Sequence, residues 1–336
     1  MRVAFLANSF HLSKTKSADF FIDNLRRFYG EVTVIPHKEA WAQLPGHRWD
    51  MIVAWQRQYP AEELEAFHAD RTIFVPMYDD TPLTREHWEK YRNFKVFCFS
   101  STLERLLVSY GIRAWGARYY PDPELYASVK RAGGLRGFFW PRTSRVTWDI
   151  VKNLMGDAQF DAFDLHWTPD IHGDLKPPAD YARDEANGWS VTSWFRDHSE
   201  YLAELSKASV FFASRPAEGI GMSFLEAMAM GLCVVAPRGP TMSEYIEDGV
   251  TGLLYDIDDP RPLDLSKVEE IGAAARESCR SGRARWLGSM DALRAFIEEP
   301  VPGYQKRRHH VIALKGRAIA RARIVYRFLK RWRKKF

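Results

Sequence analysis

Short apolar runs recur along this chain with helix-like stretches between them, and no other feature limits the fold as tightly. Arg2–Ala7, Glu31–Pro36, Asp50–Trp55, Thr72–Pro76 and Lys95–Phe99 read as strands. Helices are predicted between and after them at Ser17–Tyr29 (with Ser17 as cap), Lys38–Leu44, Ala61–Asp70, Arg85–Arg92 and Thr102–Tyr110. The strands are apolar throughout rather than alternating, so both of their faces must be covered. That is the condition of a parallel sheet with helices on each side. The rhythm breaks across Tyr119–Gly134, where Tyr120-Pro121-Asp122-Pro123 and Gly133-Gly134 are turn material. It then resumes, with strands at Arg136–Trp140, Phe163–Trp167, Trp189–Ser193, Ser209–Ala213, Leu232–Ala236 and Gly252–Tyr255, and helices at Val146–Met155, Ser199–Leu205, Ser223–Met230, Met242–Ile246 and Ile271–Ile297. The expectation is an α/β chain of two doubly wound, Rossmann-like domains, 1–130 and 131–302, facing a cleft, followed by a tail at 303–336.

Composition supports a folded chain, with 46% hydrophobic and 27% charged residues, and argues against disorder. No apolar run approaches the roughly 18–20 residues of a membrane span. Met1–Ala7 is expected to be a buried strand rather than a signal peptide. Cys98, Cys233 and Cys279 show no metal or redox spacing, which predicts no metal centre and a cytoplasmic setting.

The net charge of +5 hides an asymmetry. The segment Gly303–Phe336 carries 13 Lys or Arg and no Asp or Glu, so the other 302 residues have a net charge of −8. Val311, Leu314, Ala318, Ala322, Val325, Leu329, Trp332 and Phe336 recur at spacings of three and four, which places them on one stripe of a helix. A basic amphipathic helix with Trp and Phe on its apolar face suits an anionic membrane surface. The same stripe can pack on the protein's own body. Nucleic-acid binding does not require such a stripe, and none is expected.

The chemistry is concentrated in Ser214-Arg215-Pro216-Ala217-Glu218-Gly219-Ile220-Gly221-Met222-Ser223-Phe224-Leu225-Glu226-Ala227-Met228-Ala229-Met230-Gly231. A strand ends, a glycine-bearing loop follows and a helix begins near Ser223. The N–H groups at such a helix start lack intrahelical partners and attract anions. Gly219 and Gly221 let a ligand approach the backbone. Glu226, placed on the first turn, can accept hydrogen bonds from vicinal hydroxyls such as those of a ribose, and Glu218 can face another part of the same ligand. Two isolated glutamates would equally serve only to stabilise the helix start.

Glu218 and Glu226, separated by seven residues and followed by Ala-Met-Ala-Met-Gly, resemble the signature of glycosyltransferase family 4. The likeness continues through Val234-Val235-Ala236, Gly239, Glu244-Tyr245-Ile246, Asp248-Gly249, Thr251-Gly252-Leu253-Leu254 and Asp256. It implies a GT-B fold and a retaining transfer from a nucleotide-diphosphate sugar. By that resemblance Glu226 binds the nucleotide ribose and Glu218 the donor sugar. The amides of Gly221, Met222 and Ser223 hold the sugar or diphosphate. Arg142 matches the family's arginine on the first strand–helix loop of the second domain. The lysine that usually accompanies it is replaced by Arg145 or, less directly, Lys152. With these cations no metal or other cofactor is expected.

The first domain departs from the family pattern. The loop after its first strand is Asn8-Ser9-Phe10-His11-Leu12-Ser13-Lys14-Thr15-Lys16 rather than a Gly-Gly turn, and Tyr78-Asp79-Asp80 stands where many relatives place a histidine. Lys14, Asp79 and Asp80 are the acceptor-binding candidates. The basic tail suggests a lipid-linked or cell-surface glycan acceptor, in polysaccharide or lipopolysaccharide assembly, at the inner face of a membrane. A soluble acceptor, a phosphorylase and a non-catalytic adaptor on the same scaffold remain alternatives.

Overall fold

The computed structural model describes residues 1–13, 15–45, 47–56, 59–60, 63–64, 67, 69–126, 133–168 and 189–301. The chain divides into two compact units. One comprises Met1–Cys98, Leu103–Gly116 and the chain from Asp291; the other comprises Phe99–Thr102 and Ala117–Met290. The tail 303–336 and its expected amphipathic helix lie outside the described residues.

The first unit is built on a six-stranded sheet of β1 (Val3–Ala7), β2 (Val32–Pro36), β3 (Met51–Trp55), β4 (Thr72–Val75), β5 (Lys95–Cys98) and β6 (Arg113–Gly116). The strands are all parallel, in the order β2-β1-β3-β4-β5-β6. Every residue of β1 and β3 is buried, because helices cover both faces. Ala4, Leu6, Ile52, Ala54, Phe74 and Val96 pack with Trp88, Tyr91 and Leu103 in one layer. Phe5, Phe21, Trp55 and Phe97 interlock elsewhere in the core with ring centroids 5.4–6.5 Å apart. Each such buried side chain contributes about 1.5–3 kcal/mol of transfer free energy.

The second unit repeats the plan with β7 (Arg136–Phe139), β8 (Ala162–His166), β9 (Ser190–Thr192), β10 (Val210–Phe212), β11 (Cys233–Pro237) and β12 (Leu253–Tyr255), again parallel, in the order β12-β11-β10-β7-β8-β9. In each sheet the strand order reverses once, between β1 and β3 in the first and between β7 and β10 in the second. Such reversals leave a crevice outside the carboxyl ends of the strands, where ligands bind in open α/β sheets.

The predicted strands are all present to within a residue or two. Strand β6 and the short helix Ser9–Ser13 were not predicted. The helix expected from Ser17 runs over Asp19–Tyr29, with Ala18 at its N-cap and no side-chain cap; the Ser17 hydroxyl lies instead 3.2 Å from His11 Nδ1. The long helix expected at Ile271–Ile297 is two helices, Val268–Gly288 and Met290–Glu298, interrupted at Ser289. This break coincides with the return of the chain to the first unit. Residues 117–126 group with the second unit and the chain from Asp291 with the first.

Candidate functional site

The reversal between β7 and β10 gathers the segment with the densest chemistry. Strand β10 ends at Phe212, and the loop Ala213–Gly221 leads into the helix Met222–Met230. Gly221 caps this helix with φ 78°, and the cap position offers its first N–H groups no side-chain hydrogen bond. A Cβ at Gly221 would fall inside the Phe224 ring, so the position needs glycine on both backbone and steric grounds. Thr241 Oγ1 donates to the Glu218 carbonyl at 2.6 Å, and Thr143 Oγ1 to the Ser214 carbonyl at 3.2 Å. These bonds tie the loop to β11's following turn and to the loop after β7. At the far end of the helix, Arg276 donates to the Ala229 carbonyl at 2.7 Å and the Pro123 carbonyl at 2.8 Å.

Glu226 is the fifth residue of this helix, one residue deeper than expected, because the helix opens at Met222. Its side chain is 5% exposed. Among the described residues its hydrogen-bond donor is His198, with Nε2 3.0 Å from Oε1. A carboxylate has about four acceptor positions, so a buried one with a single donor retains capacity for ligand hydroxyls. His198 opens a helix, His198–Leu205, whose cap Asp197 accepts from the Glu200 amide at 3.1 Å; its ring stacks on Tyr201 with centroids 5.6 Å apart. The Tyr201 hydroxyl is buried without a hydrogen-bond partner. Burial above all, and then the charge of Glu226, pushes its ionisation well above the ordinary phenol range, while Arg142 opposes that shift. Glu226, Arg142 and Tyr201 therefore share one electrostatic environment.

Aromatic rings frame it. Trp140, immediately after β7, lies 5.7 Å from Tyr201 and 4.9 Å from His166, and His166 stacks on Phe195 at 4.6 Å. Trp194 remains 57% exposed beside them. Beneath the rings, Thr192 Oγ1 lies 2.9 Å from His166 Nδ1 and donates to Asp164 Oδ1 at 3.0 Å. Burial raises the Asp164 carboxyl to about 7, with the Thr192 hydrogen bond acting against it, and lowers His166 to about 4.

The sequence-derived donor residues occupy this one place. Gly219 and Gly221 are buried in the loop, Met222 and Ser223 open the helix, and Glu218 is half-buried before it. The Arg142 guanidinium sits 4.7 Å from the Trp140 ring centroid. Arg145 is 63% exposed and pairs with Asp258 at 3.4 Å, while Lys152 pairs with Asp149 at 3.1 Å. Asp79 and Asp80 belong to the first unit, on the short 3-10 turn Tyr78–Asp80 after β4; Lys14 lies outside the described residues. Among the described residues no group of three or more His, Cys, Asp or Glu is placed to hold a metal. Sequence reasoning did not find His198, Tyr201 or His166. Their only sequence signal was their place at strand ends and helix starts.

With that geometry in hand, known proteins give a consistent picture. Residues 159–265 match the family model described as glycosyl transferases group 1. HepE from Anabaena, crystallised with UDP, superposes with a TM-score of 0.60 at 15% identity, over 87% of this chain and 100% of that one. Sucrose-phosphate synthase from Thermosynechococcus elongatus gives 0.61 at 13% identity, over 88% and 99%. The UDP-forming trehalose-phosphate synthase from Burkholderia vietnamiensis gives 0.58 at 11%, over 88% and 98%. The chain has the GT-B fold. Within the GT-B plan, the matched segment runs from the residues before β8 to those after β12 and contains the whole Glu218–Gly231 junction. No curated protein sequence matches the chain.

Proposed function

We propose that the chain is a retaining glycosyltransferase that moves a sugar from a nucleotide-diphosphate donor to a hydroxyl of a membrane-associated glycan or lipid-linked acceptor. The observation that carries this reading is Glu226. It is a buried carboxylate behind an uncapped, glycine-initiated helix, at the strand-order reversal of a GT-B sheet, inside the segment that matches the group 1 family model. Its open acceptor positions suit the two hydroxyls of a ribose. The helix N–H groups suit the diphosphate. Glu218 is assigned to the donor sugar, and Arg142 and Arg145 to the leaving phosphate.

In the transfer, the bond between the sugar's anomeric carbon and the phosphate oxygen breaks. The acceptor oxygen bonds to that carbon from the same face, and the acceptor's proton passes to the departing phosphate oxygen. The charge growing on the phosphate is met by Arg142, Arg145 and the helix amides, whose stabilisation is largest where charge develops. No metal is assigned a step. Crystallised neighbours described as UDP complexes make a uridine nucleotide the first donor to try. The basic tail supports an acceptor at the inner face of a bacterial membrane, with the enzyme peripheral on its cytoplasmic side.

Calorimetric titration with UDP tests the assignment. Glu226→Gln keeps the shape of the side chain but loses its charge, and should weaken UDP binding about tenfold or more, the loss expected for a charge-assisted hydrogen bond. Unchanged affinity would remove Glu226 from the ribose. NMR of the product's anomeric centre tests retention, and inversion would refute it. If Glu218→Gln and Glu226→Gln both leave the cellular function intact, the chain is an adaptor and not an enzyme.

A further inference from the structure

Glu226 carries a long, rotatable side chain, and a side chain that must be ordered at the moment of binding costs about twofold to tenfold in affinity. A carboxylate fixed in advance is spared that loss. The helix Met222–Met230 sets where Glu226 stands, but its carboxylate is anchored from another element, by His198 Nε2 at 3.0 Å from Oε1. An ionised carboxylate only accepts, so Nε2 carries the hydrogen, in a neutral ring as in a charged one. Among the described residues the other acceptor positions of Glu226 take no hydrogen bond.

His198 is itself held in place. It is the first residue of the helix His198–Leu205, and the turn that starts there is tied by two bonds. Asp197 accepts from the Glu200 amide at 3.1 Å, and Glu200 Oε2 accepts from the Arg196 amide at 2.7 Å. The Ser199 hydroxyl first, and then the Glu200 amide, holds the Asp197 carboxyl below its usual range, so this cap stays charged. The imidazole shares a helix face with Tyr201, three residues on, and stacks on its ring with 29° between the planes. Tyr201 is buried among Phe138, Trp140 and Phe195, with ring centroids 5.7–6.2 Å away. A tied first turn and a buried ring thus aim an imidazole whose own side chain is 38% exposed.

We propose that His198 is a positioning residue for the nucleotide. Its Nε2–H fixes Glu226 Oε1 and turns the open acceptor positions towards the vicinal hydroxyls of a ribose before the ligand arrives. The inference rests on the reading of Glu226 as the ribose carboxylate. It adds that the carboxylate is not sufficient, and that what is needed beside it is an N–H at this place rather than an imidazole as such. Glutamine, whose amide nitrogen reaches the position of Nε2, meets that need. Phenylalanine, which keeps a ring on Tyr201 but has no N–H, does not.

Calorimetry on the full chain with UDP, GDP and ADP identifies the tightest of the three, and its 2′,3′-dideoxy form is the control. His198→Phe should weaken the nucleotide about threefold to tenfold. His198→Gln should bind it within about twofold of the unsubstituted chain. The dideoxy ligand offers Glu226 no ribose hydroxyl, so all three chains should bind it alike. Adding His198→Phe to Glu226→Gln should change little, because two residues that act through one contact are not additive. If Glu226→Gln weakens the nucleotide, three results would each overturn the positioning role and leave Glu226 on the ribose. They are full affinity in His198→Phe, a His198→Gln chain as weak as His198→Phe, and an equal loss with the dideoxy ligand. Unchanged affinity in Glu226→Gln, or no binding of any of the three nucleotides, would overturn both readings.

Discussion

Asp164 and His166 stand two residues apart on β8 and share the single hydroxyl of Thr192, yet burial moves their protonation in opposite directions. Asp164, ordinarily 3.8, holds its proton to about 7, and His166, ordinarily 6.5, stays unprotonated to about 4. Between about pH 4 and 6.5 the folded chain thus binds one proton more at Asp164 and one fewer at His166 than the unfolded chain, and the two slopes cancel. Above 6.5 the Asp164 contribution alone remains, lost as pH rises through 7. Asp164→Asn should expose the His166 dependence, with stability falling by about 1.4 kcal/mol per unit as pH drops from 6.5 towards 4. His166→Gln should expose the opposite slope, a gain of similar size as pH drops from 7 towards 4. Urea melts of the three proteins across this range check both, and parallel profiles would mean that the pair is not set by burial. A second residue-level expectation concerns Gly221→Ala. The added Cβ meets Phe224 and forces a left-handed alanine, so stability should fall by about 2–4 kcal/mol, readable as a lower melting temperature with weaker UDP binding. At this scale the sequence made the Glu218–Gly231 junction legible because its chemistry is contiguous. His198 stayed hidden because it stands 28 positions before Glu226, and only the β9-to-helix connection brings the two to 3.0 Å.

Among the elements, buried strands were easy to read and edge pieces were not. β1 and β3 are wholly apolar, whereas Arg113-Ala114-Trp115-Gly116 is half-buried at the sheet edge and carries an arginine, so β6 gave little apolar signal. The same strand explains that arginine. Arg113 pairs with Glu299 at 3.0 Å and donates to the Pro300 carbonyl at 3.2 Å. Next to it on β5, Lys95 is 1% exposed, and its ammonium donates to the carbonyls of Phe296, Ile297 and Glu299. A cation therefore sits where the helix Met290–Glu298 presents its unpaired carbonyls and the negative end of its dipole. Burial lowers Lys95 to about 8, with Glu299 opposing the shift, yet the three carbonyls make it hard to replace. Lys95→Met fills the space without donors and should cost about 1–3 kcal/mol. Hydrogen exchange should place the loss in residues 290–298 and spare the second unit's sheet. Uniform loosening of both units would show that Lys95 is not a local fastening.

For the molecule as a whole, the decisive contrast is electrical. Residues 1–302 carry a net charge of −8, while 303–336 carry 13 basic residues and no acidic ones. An acidic body is repelled by an anionic bilayer, so any attachment must come through the tail. Each Lys or Arg at such a surface contributes about 1 kcal/mol, with further free energy from the apolar stripe that ends in Trp332 and Phe336. Truncation after Pro302 should abolish sedimentation with anionic vesicles and leave UDP affinity within about twofold, since none of the residues around Glu226 is removed. Raising salt should detach the full chain only in part, because screening weakens the charges and not the apolar face. Replacing Leu314, Leu329 and Trp332 with Ser should make the residual binding wholly salt-sensitive. A tail that bound by charge alone would already be released by salt in the unsubstituted chain, and a tail packed on its own body would leave the truncated protein less stable and the vesicles empty in both cases. The two expected responses together, salt-resistant binding and its loss on removing three apolar side chains, separate a membrane anchor from either.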